Sequence, residues 1–494
     1  MNSVINISDV LSGINLLLPE IFLLFTALVV LISGLAFRKS ISCNALASIS
    51  LAGSVLSFSI LLIRFSPGIH KMVFSGMLYY DTWTAYFKIL IFTSLIIAIV
   101  FSIIRKEQAI VNTEYYTILL VLSAALMFLT LASNLLSIYL SLEFVSICSY
   151  ILSAFRFNKE SAEGSLKYIL FGIFSGAVML YGISLLYGLS GSLELFSHDF
   201  LANLSQAQPV ALWFAVILTT AGFLFKIAAV PFHQWAPDVY QTAPIPVTAF
   251  FSTAPKIAGF ALFYKFSYML ITYLPAAGIY VKFLSVIVFI SLTVGNLAAL
   301  WQQNAKRILS YSSIAHSGFI LMTLLTVNNL SVKALMFYLA VLIPMNFAAF
   351  IMVDKLVSKS GSERIDSFNG LGKAFPVAGI LMVIIMISLT GLPPTAGFYA
   401  KFMVFSSVWE TYQVTQEKYY LYLLLFGILN TLPALFYYLK IPFVMFFRKA
   451  ENNESLLTYS ISASDIFVSL LSVPLLIFFL KPDWLTSIIQ TFLP

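Results

Sequence analysis

Stretches of about 20 apolar residues recur along almost the whole chain and are separated by short polar segments. A helix of that length spans the hydrocarbon core of a bilayer, where only helices and closed barrels satisfy every backbone polar group. Only 10% of the residues are charged, against about 25% in a soluble protein. The sequence therefore predicts an all-α integral membrane protein with about 14 transmembrane helices embedded in the lipid bilayer.

Each predicted span covers one apolar stretch. The predicted spans are 16–37, 44–63, 83–104, 115–132, 134–155, 166–188, 210–230, 244–268, 278–300, 308–326, 333–354, 374–404, 420–447 and 465–480. The longest polar segments, 358–373 and 448–460, are the size of loops, so no separate soluble domain is expected.

Basic residues near span ends indicate which loops face the cytoplasm. If the N-terminus lies outside, the cytoplasmic loops hold Arg38, Lys39, Arg105, Lys106, Arg156, Lys159, Lys306, Arg307, Lys355, Lys359, Arg364, Lys373, Arg448 and Lys449. The opposite loops hold Arg64, Lys71, Lys265, Lys333 and Lys418. The bias predicts an even number of spans, with both termini on the outer side. The net charge of +7 is thus a sign of topology and does not indicate nucleic acid binding.

Two apolar stretches combine proline with a lysine. Lys226 ends one run five residues before Pro231, and Pro393 and Pro394 precede Lys401. An ionisable group inside a bilayer costs several kcal/mol, roughly 2.5–3.5 on the lowest scale, and marks an ion path by default. Proline frees a helix carbonyl, which then needs a partner in protein or in a hydrated cavity. The pattern predicts two proline-broken helices in a transporter built from repeats.

Pairing spans four to eight with spans nine to thirteen places one broken helix fourth in each set. Because each set has an odd number of spans, the two five-helix repeats must be inverted, with the site at the midplane between them. The predicted domains are a three-helix segment (1–110), a first repeat (111–270), a second repeat (271–450) and a C-terminal span (451–494).

Glu143 shares one helix face with Tyr139, Ser146, Tyr150 and Ser153. This polar stripe is expected to face away from lipid. Two interpretations stay open for the carboxylate. It either fixes helix packing through a buried ion pair or acts as a protonatable relay group.

Lysines inside the apolar stretches are candidates for the same relay. They are Lys167, Lys226, Lys256 and Lys401. Lysine suits proton transfer because a buried amine can lose its proton, whereas arginine stays charged. The alternative is a structural pair or snorkelling towards the membrane surface for Lys167 and Lys226, and a packing role for Lys256. For Lys401 it is a position at the end of the span. Lys167 follows Glu163 by four residues, which also fits an ordinary helix ion pair.

His233 and His316 are supporting candidates. Each is either a satisfied core histidine or a group that bridges lysines through water. The four histidines show no metal or haem spacing, and the lone Cys43 and Cys148 exclude cysteine-ligated iron–sulfur clusters. The chain also lacks a phosphate-binding glycine loop and a dinucleotide fingerprint. The spacing of Gly172 and Gly176 predicts close helix packing.

Several longer motifs resemble the antiporter-like membrane subunits of respiratory complex I, and among them the N type. The motifs are SLEF at 141–144, AEGSLKY at 162–168, LLYGLSG at 185–191, FLFKIAAVPFHQWAPDVY at 223–240, KIA at 256–258, QNAKRILSYSSIAH at 303–316 and LTGLPPTAGFYAKF at 389–402. The chain ends soon after the last span, whereas the L type continues into a lateral helix. The M type typically has glutamate at the position of Lys401.

The resemblance implies proton translocation driven by quinone reduction elsewhere in a complex of the bacterial inner membrane. The outer side, on which the loop charges place both termini, is then the periplasm. The resemblance further implies that Glu143, Lys167, Lys226, Lys256 and Lys401 line a central hydrophilic axis. It also implies a translocase subunit without redox catalysis of its own. No cofactor is then expected in this chain. FMN, iron–sulfur clusters and quinone are expected in the other membrane and peripheral subunits that are its partners.

Three other functions stay open from the sequence. A sodium/proton antiporter complex or a membrane-bound hydrogenase could contain a subunit with the same core. A purely structural membrane anchor would use the buried charges only to hold helices together. Stand-alone transport of a solute is the third, although no solute-binding motif is visible.

Overall fold

The computed structural model describes residues 13–37, 42–105, 112–448 and 461–493. Thirteen helical segments within these ranges are long and apolar enough to cross a membrane. Another apolar helix, Pro376–Thr390, is shorter and is followed across a break by Ala396–Thr415. The predicted all-α membrane fold is confirmed. Arg38, Lys39, Lys106 and Lys449, which entered the topology prediction, lie outside the described residues.

The elements up to the first broken helix are α1 (Leu18–Ala36), α2 (Cys43–Arg64), β1 (Lys71–Val73), β2 (Leu78–Tyr80), α3 (Thr82–Arg105), α4 (Thr113–Leu131), α5 (Leu135–Ser153), α6 (Lys159–Ser190), α7 (His198–Gln206) and α8 (Pro209–Lys226). The following elements are α9 (Trp235–Thr242), α10 (Ile245–Phe251), α11 (Ala254–Tyr273), α12 (Gly278–Trp301), α13 (Ala305–Thr326), α14 (Asn329–Ser360), a 3₁₀ turn (Ile365–Phe368), α15 (Leu371–Ala374), α16 (Pro376–Thr390), α17 (Ala396–Thr415), α18 (Lys418–Leu429), α19 (Thr431–Phe447), α20 (Ala463–Leu480) and α21 (Asp483–Gln490).

The described residues pack into two compact units. The first unit draws on 1–227, 254–280 and 491–494, and the second on 228–253 and 281–490. The chain therefore enters the second unit directly after α8 and returns to the first with α11. The predicted domain boundaries stay a prediction.

A short antiparallel ribbon lies in the first unit, where β1 pairs with β2 and Lys71 stands opposite Tyr80. Tyr80 packs with Leu17 and Leu131 in a small apolar core. The sequence analysis missed this ribbon because strands of three residues are too short to show an alternating pattern.

Two helices are longer than predicted. The spans expected at 166–188 and 333–354 are α6 and α14, each 32 residues long. Asn158 and Asn328 begin them with capping boxes, and glycines in the left-handed conformation end them. These caps extend the helices into polar flanks, which hydropathy does not detect.

The caps of α5 and α6 recur in α13 and α14 at one common separation along the chain. The matching pairs are Asn134 and Asn304, Asn158 and Asn328, and Gly191 and Gly361. In both sets the N-cap asparagine also forms a bridge to the loop that follows the second helix. This regularity supports the pairing of 111–270 with 271–450 as repeats.

Both helices with the proline motifs are interrupted, but the first break does not begin at Pro231. The span predicted at 210–230 ends at Lys226, because Ala228 takes the left-handed conformation at φ 54°. In the second, Gly391 at φ 83° ends α16, and the linker with Pro393 and Pro394 leads into α17. The spans expected at 244–268 and 420–447 are also divided, into α10 and α11 and into α18 and α19.

Candidate functional site

Lys226 is the last residue of α8, and its side chain is buried, with 2% of the residue exposed. Its Nζ donates a hydrogen bond to Ser146 Oγ on α5 at 3.0 Å. A buried cation needs such partners, since leaving it without hydrogen bonds is very costly. The direct partner of this lysine is therefore a neutral hydroxyl group.

Glu143 lies three residues before Ser146, about one turn away on α5. Its carboxylate interacts electrostatically with Lys226. Among the ion pairs of the described residues, however, none joins the two side chains. The opposite charges therefore influence one another while Ser146 takes the direct contact.

Gly172 and Gly176 of α6 make room for the polar face of α5. A Cβ atom on Gly172 would collide with the Tyr150 hydroxyl, and one on Gly176 would collide with a carboxylate oxygen of Glu143. The small-residue spacing thus accommodates polar side chains in the first unit as well as close packing.

Lys256 is buried in the first turn of α11. Gly259, about one turn later, packs on the aliphatic stem of Lys226, because a Cβ there would lie 3.4 Å from Lys226 Cγ. The first unit therefore brings Glu143, Lys226 and the turn that carries Lys256 together.

Lys167 differs from the other lysines. Its Nζ forms an i,i+4 ion pair with Glu163 at 3.0 Å, and its side chain is 43% exposed. The helix begins at Lys159, so Lys167 lies two turns inside α6. The structure does not bury it with Lys226 and Lys256, and its part in a relay stays a prediction.

Lys401 lies buried on α17 in the second unit. Its Nζ donates to the carbonyl of Thr390 at 2.6 Å and lies 4.5 Å from the centre of the Phe319 ring. Thr390 is the last residue of α16, so the ammonium group satisfies a carbonyl at the negative end of a helix. The lysine thereby holds the two halves of the broken helix together.

His316 of α13 is buried between two tyrosine hydroxyls. Nδ1 lies 2.7 Å from Tyr338 Oη, and Nε2 lies 3.0 Å from Tyr438 Oη. Phe319, which contacts Lys401, is one turn further along α13. The second unit therefore places Lys401 of α17 against the turn of α13 that follows His316. Half-buried His233 lies between α8 and α9, and its role stays a prediction.

The sequence analysis missed two ion pairs of the first unit. Glu20 and Lys88 lie 2.5 Å apart with fully buried side chains, and Asp81 lies 3.7 Å from Lys265. Glu20 and Lys88 stand inside predicted spans, so the signal that identified Lys226 was also present for them. The hydroxyls of Tyr338 and Tyr438 carried no such signal, because buried tyrosines are common in apolar helices.

Residues 132–426 match the protein family described as "NADH:quinone oxidoreductase/Mrp antiporter, TM". NADH-quinone oxidoreductase subunit N of Chlorobium chlorochromatii is 37% identical over 91% of this chain and 88% of its own length. Subunit N of an Anaeromyxobacter species is 37% identical over 87% of this chain and 86% of its own. A chain in respiratory complex I from Thermus thermophilus with bound aureothin shares the fold with a TM-score of 0.77 and 28% identity, covering 95% of this chain and 98% of that one. The chain belongs to the family of NADH-quinone oxidoreductase subunit N.

Proposed function

We propose that this chain moves protons across the membrane as part of an NADH:quinone oxidoreductase, in response to quinone reduction elsewhere in the complex. The redox cofactors, namely FMN, iron–sulfur clusters and quinone, belong to partner subunits. The chain works with other membrane and peripheral subunits, and its own task is proton transfer through buried side chains.

The proton path that we propose uses the buried residues of the first unit and then those of the second. Glu143, Lys226 and Lys256 act in the first unit, and His316 and Lys401 act in the second. A change of charge near Glu143 strengthens or weakens its attraction for Lys226, and the lysine then keeps or releases its proton. Protons pass through water between these groups, and Lys401 exchanges with one side of the membrane.

The observation that carries this proposal is the neutral partner of Lys226. A lysine in a direct ion pair is held charged. Lys226 instead donates a hydrogen bond to Ser146, and the carboxylate of Glu143 lies about one turn from Ser146 along α5. Direct pairs of the structural kind occur elsewhere, as between Lys355 and Asp465 and between Lys88 and Glu20. Those pairs suit helix anchoring, and their geometry differs from that at Lys226.

Glu143→Gln tests the proposal because glutamine keeps the shape of the side chain and removes its charge. We expect proton pumping in membrane vesicles to fall severalfold while the complex still assembles. The matched control is Glu160→Gln, which removes an exposed carboxylate from the first turn of α6 and should pump normally. Normal pumping by assembled Glu143→Gln would leave Glu143 a packing role and favour the structural anchor.

We also propose that the protein lies in the inner membrane of a bacterial cell with both termini on the periplasmic side. The bias of basic residues among the loops supports this orientation. A subunit of a sodium/proton antiporter complex is the second candidate, since the matching family description names Mrp antiporters as well. Co-purification of flavin-containing partner subunits separates the two.

A further inference from the structure

A row of polar side chains runs along α13 from its partly exposed end to the buried His316. The members of this row follow one another at intervals of three residues and are Arg307, Ser310, Ser313 and His316. Residues three apart lie on neighbouring turns, with Cβ atoms about 5–6 Å apart. Over the same stretch, the two other rows of α13 are interrupted by isoleucine, leucine or alanine side chains. Within α13, which the structure describes in full, only this row is polar without interruption.

The row begins where α13 reaches the surface of the chain. Arg307 forms an ion pair with Asp238 of α9 at 2.9 Å, and each of the two side chains is 27% exposed. Its guanidinium group also donates to Gln241 Oε1 at 3.1 Å, which holds it against α9. The loop before α13 is one of those that the basic residues assign to the cytoplasm. The row therefore connects a polar surface with the buried His316.

Ser310 lies inside the row and has a hydroxyl group that the surrounding protein does not satisfy. The residue is fully buried, and within the described part of the chain its Oγ has no hydrogen-bond partner. Many buried serines here donate instead to a carbonyl of their own helix, as Ser285 of α12 does to Val281 at 2.8 Å. A buried hydroxyl without a partner is costly unless water reaches it. Ser310 is therefore suited to bind water.

The repeat relationship places this row on a face that already has a role in the first unit. The common separation that relates the caps of α5 and α13 also relates Glu143 to Ser313. It likewise relates Ser146, the hydrogen-bond partner of Lys226, to His316. The second unit thus keeps the polar face of α5 and carries a neutral hydroxyl group where the first unit has a carboxylate.

We propose that Ser310 and Ser313 conduct protons between the exposed end of α13 and His316, through water held between neighbouring turns. A serine hydroxyl can pass a proton on because it donates one hydrogen bond while it accepts others. One water molecule can bridge two hydroxyls on neighbouring turns. Each hydroxyl that accepts a proton from one side gives its own to the next, so no other bond changes. This proposal rests on the proposed function, because it supplies protons to the relay through His316 and Lys401.

Ser310→Val and Ser310→Thr form a matched pair, because the two side chains share a branched shape and only threonine has a hydroxyl group. Proton pumping in membrane vesicles is measured beside NADH oxidation by the assembled complex. We expect Ser310→Thr to pump nearly as well as the unchanged chain and Ser310→Val to pump severalfold less. Equal pumping by the two assembled variants, whether normal or reduced, would contradict the proposal, since the hydroxyl group would then not matter.

Access of water to the row is measured without turnover. In Ser310→Cys a thiol replaces the hydroxyl group, and a small water-soluble methanethiosulfonate reagent modifies thiols that water reaches. Mass spectrometry of the treated complex locates the label, so the native Cys43 and Cys148 can stay. We expect a label at position 310 in Ser310→Cys and none at position 285 in Ser285→Cys, which replaces a serine bonded to its own helix.

An unlabelled Ser310→Cys would contradict the proposal even if Ser310→Val failed to assemble. Equal labelling of Ser310→Cys and Ser285→Cys would contradict it too, because water would then not favour the row. If Glu143→Gln pumped normally while Ser310→Cys was labelled, the relay through Glu143 would be wrong and the hydrated row would stand. If Glu143→Gln lost pumping while Ser310→Val pumped like Ser310→Thr, the relay would stand and protons would reach His316 by another route.

Discussion

At the scale of single residues, the group that a buried lysine contacts indicates its role. A neutral partner suits a lysine that relays protons, and a carboxylate in a direct ion pair suits one that anchors helices. Lys226→Arg should lower proton pumping almost as far as Lys226→Ala, because arginine stays protonated and cannot release a proton at this buried site. Pumping in vesicles, measured beside NADH oxidation by the assembled complex, checks this expectation.

The control for this substitution is Lys306→Arg, where Nζ lies 2.5 Å from Glu363 Oε1 in a direct ion pair. That site needs positive charge and no titration, so arginine should be tolerated. If Lys226→Arg pumped as well as Lys306→Arg, Lys226 would be a fixed electrostatic partner and the proton would take another path.

The sequence could indicate which charges are buried but not what they contact. Lys226 and Glu143 stood out because charges are expensive in apolar spans. Ser146 was on the predicted polar face, yet nothing in the sequence showed that it would take the hydrogen bond of Lys226. The position of Lys167 was also uncertain, because its exposure depends on where α6 begins, and that is set by the Asn158 cap.

At the scale of elements, the glycine at the second helix break has a specific role. Gly391→Ala should displace Lys401 from the Thr390 carbonyl, because a Cβ at Gly391 would lie 2.6 Å from Lys401 Cδ. The positive φ adds a strain of about 1 kcal/mol. We expect pumping to fall by more than this small loss of stability explains.

Gly361→Ala provides a matched control for the strain. Gly361 also ends a helix with a positive φ, at 74°, but a Cβ there has nothing within 4 Å. Thermal unfolding should show the backbone strain alone in Gly361→Ala and a larger loss in Gly391→Ala, where Lys401 is also displaced, and pumping should suffer only in Gly391→Ala. Equal pumping by both would mean that the position of Lys401 against α16 does not matter.

Most helix positions were predictable to within a few residues, but α6, α14 and α17 extend further, and the breaks were less predictable. Hydropathy identifies membrane spans because the bilayer demands length and apolarity. The two predicted proline breaks are present, yet the first begins at Ala228, where a left-handed alanine ends α8 before Pro231, and two further spans are divided that were not predicted to be. The division at Asn430 lies between Gly427 and Pro433, two residues that disfavour a helix interior and that the sequence analysis did not use.

At the scale of the whole molecule, the fold class followed from the number and length of apolar stretches alone. The assignment of residues to units did not, since 228–253 packs with the second unit although it lies between parts of the first. The sequence indicates where a helix ends but not which helices the following segment packs against. The recurring caps, visible once the helices were defined, support the repeats more strongly than sequence similarity between the halves does.

The inverted arrangement predicts that two nearly identical turns lie on opposite sides of the membrane. In both, a serine hydroxyl donates to the carbonyl two residues later, from Ser190 to Ser192 and from Ser360 to Ser362. A reporter that is active only in the cytoplasm should work when fused after Ser362 and fail when fused after Ser192. It should also fail at the C-terminus, after Pro494, which lies outside the described residues.

Because the two internal turns share local structure, a difference in reporter activity between them reflects the side of the membrane. If the reporter were active at both Ser192 and Ser362, or inactive at both, the two turns would lie on the same side and the repeats would not be inverted. Reporter activity at the C-terminus would contradict the even number of spans.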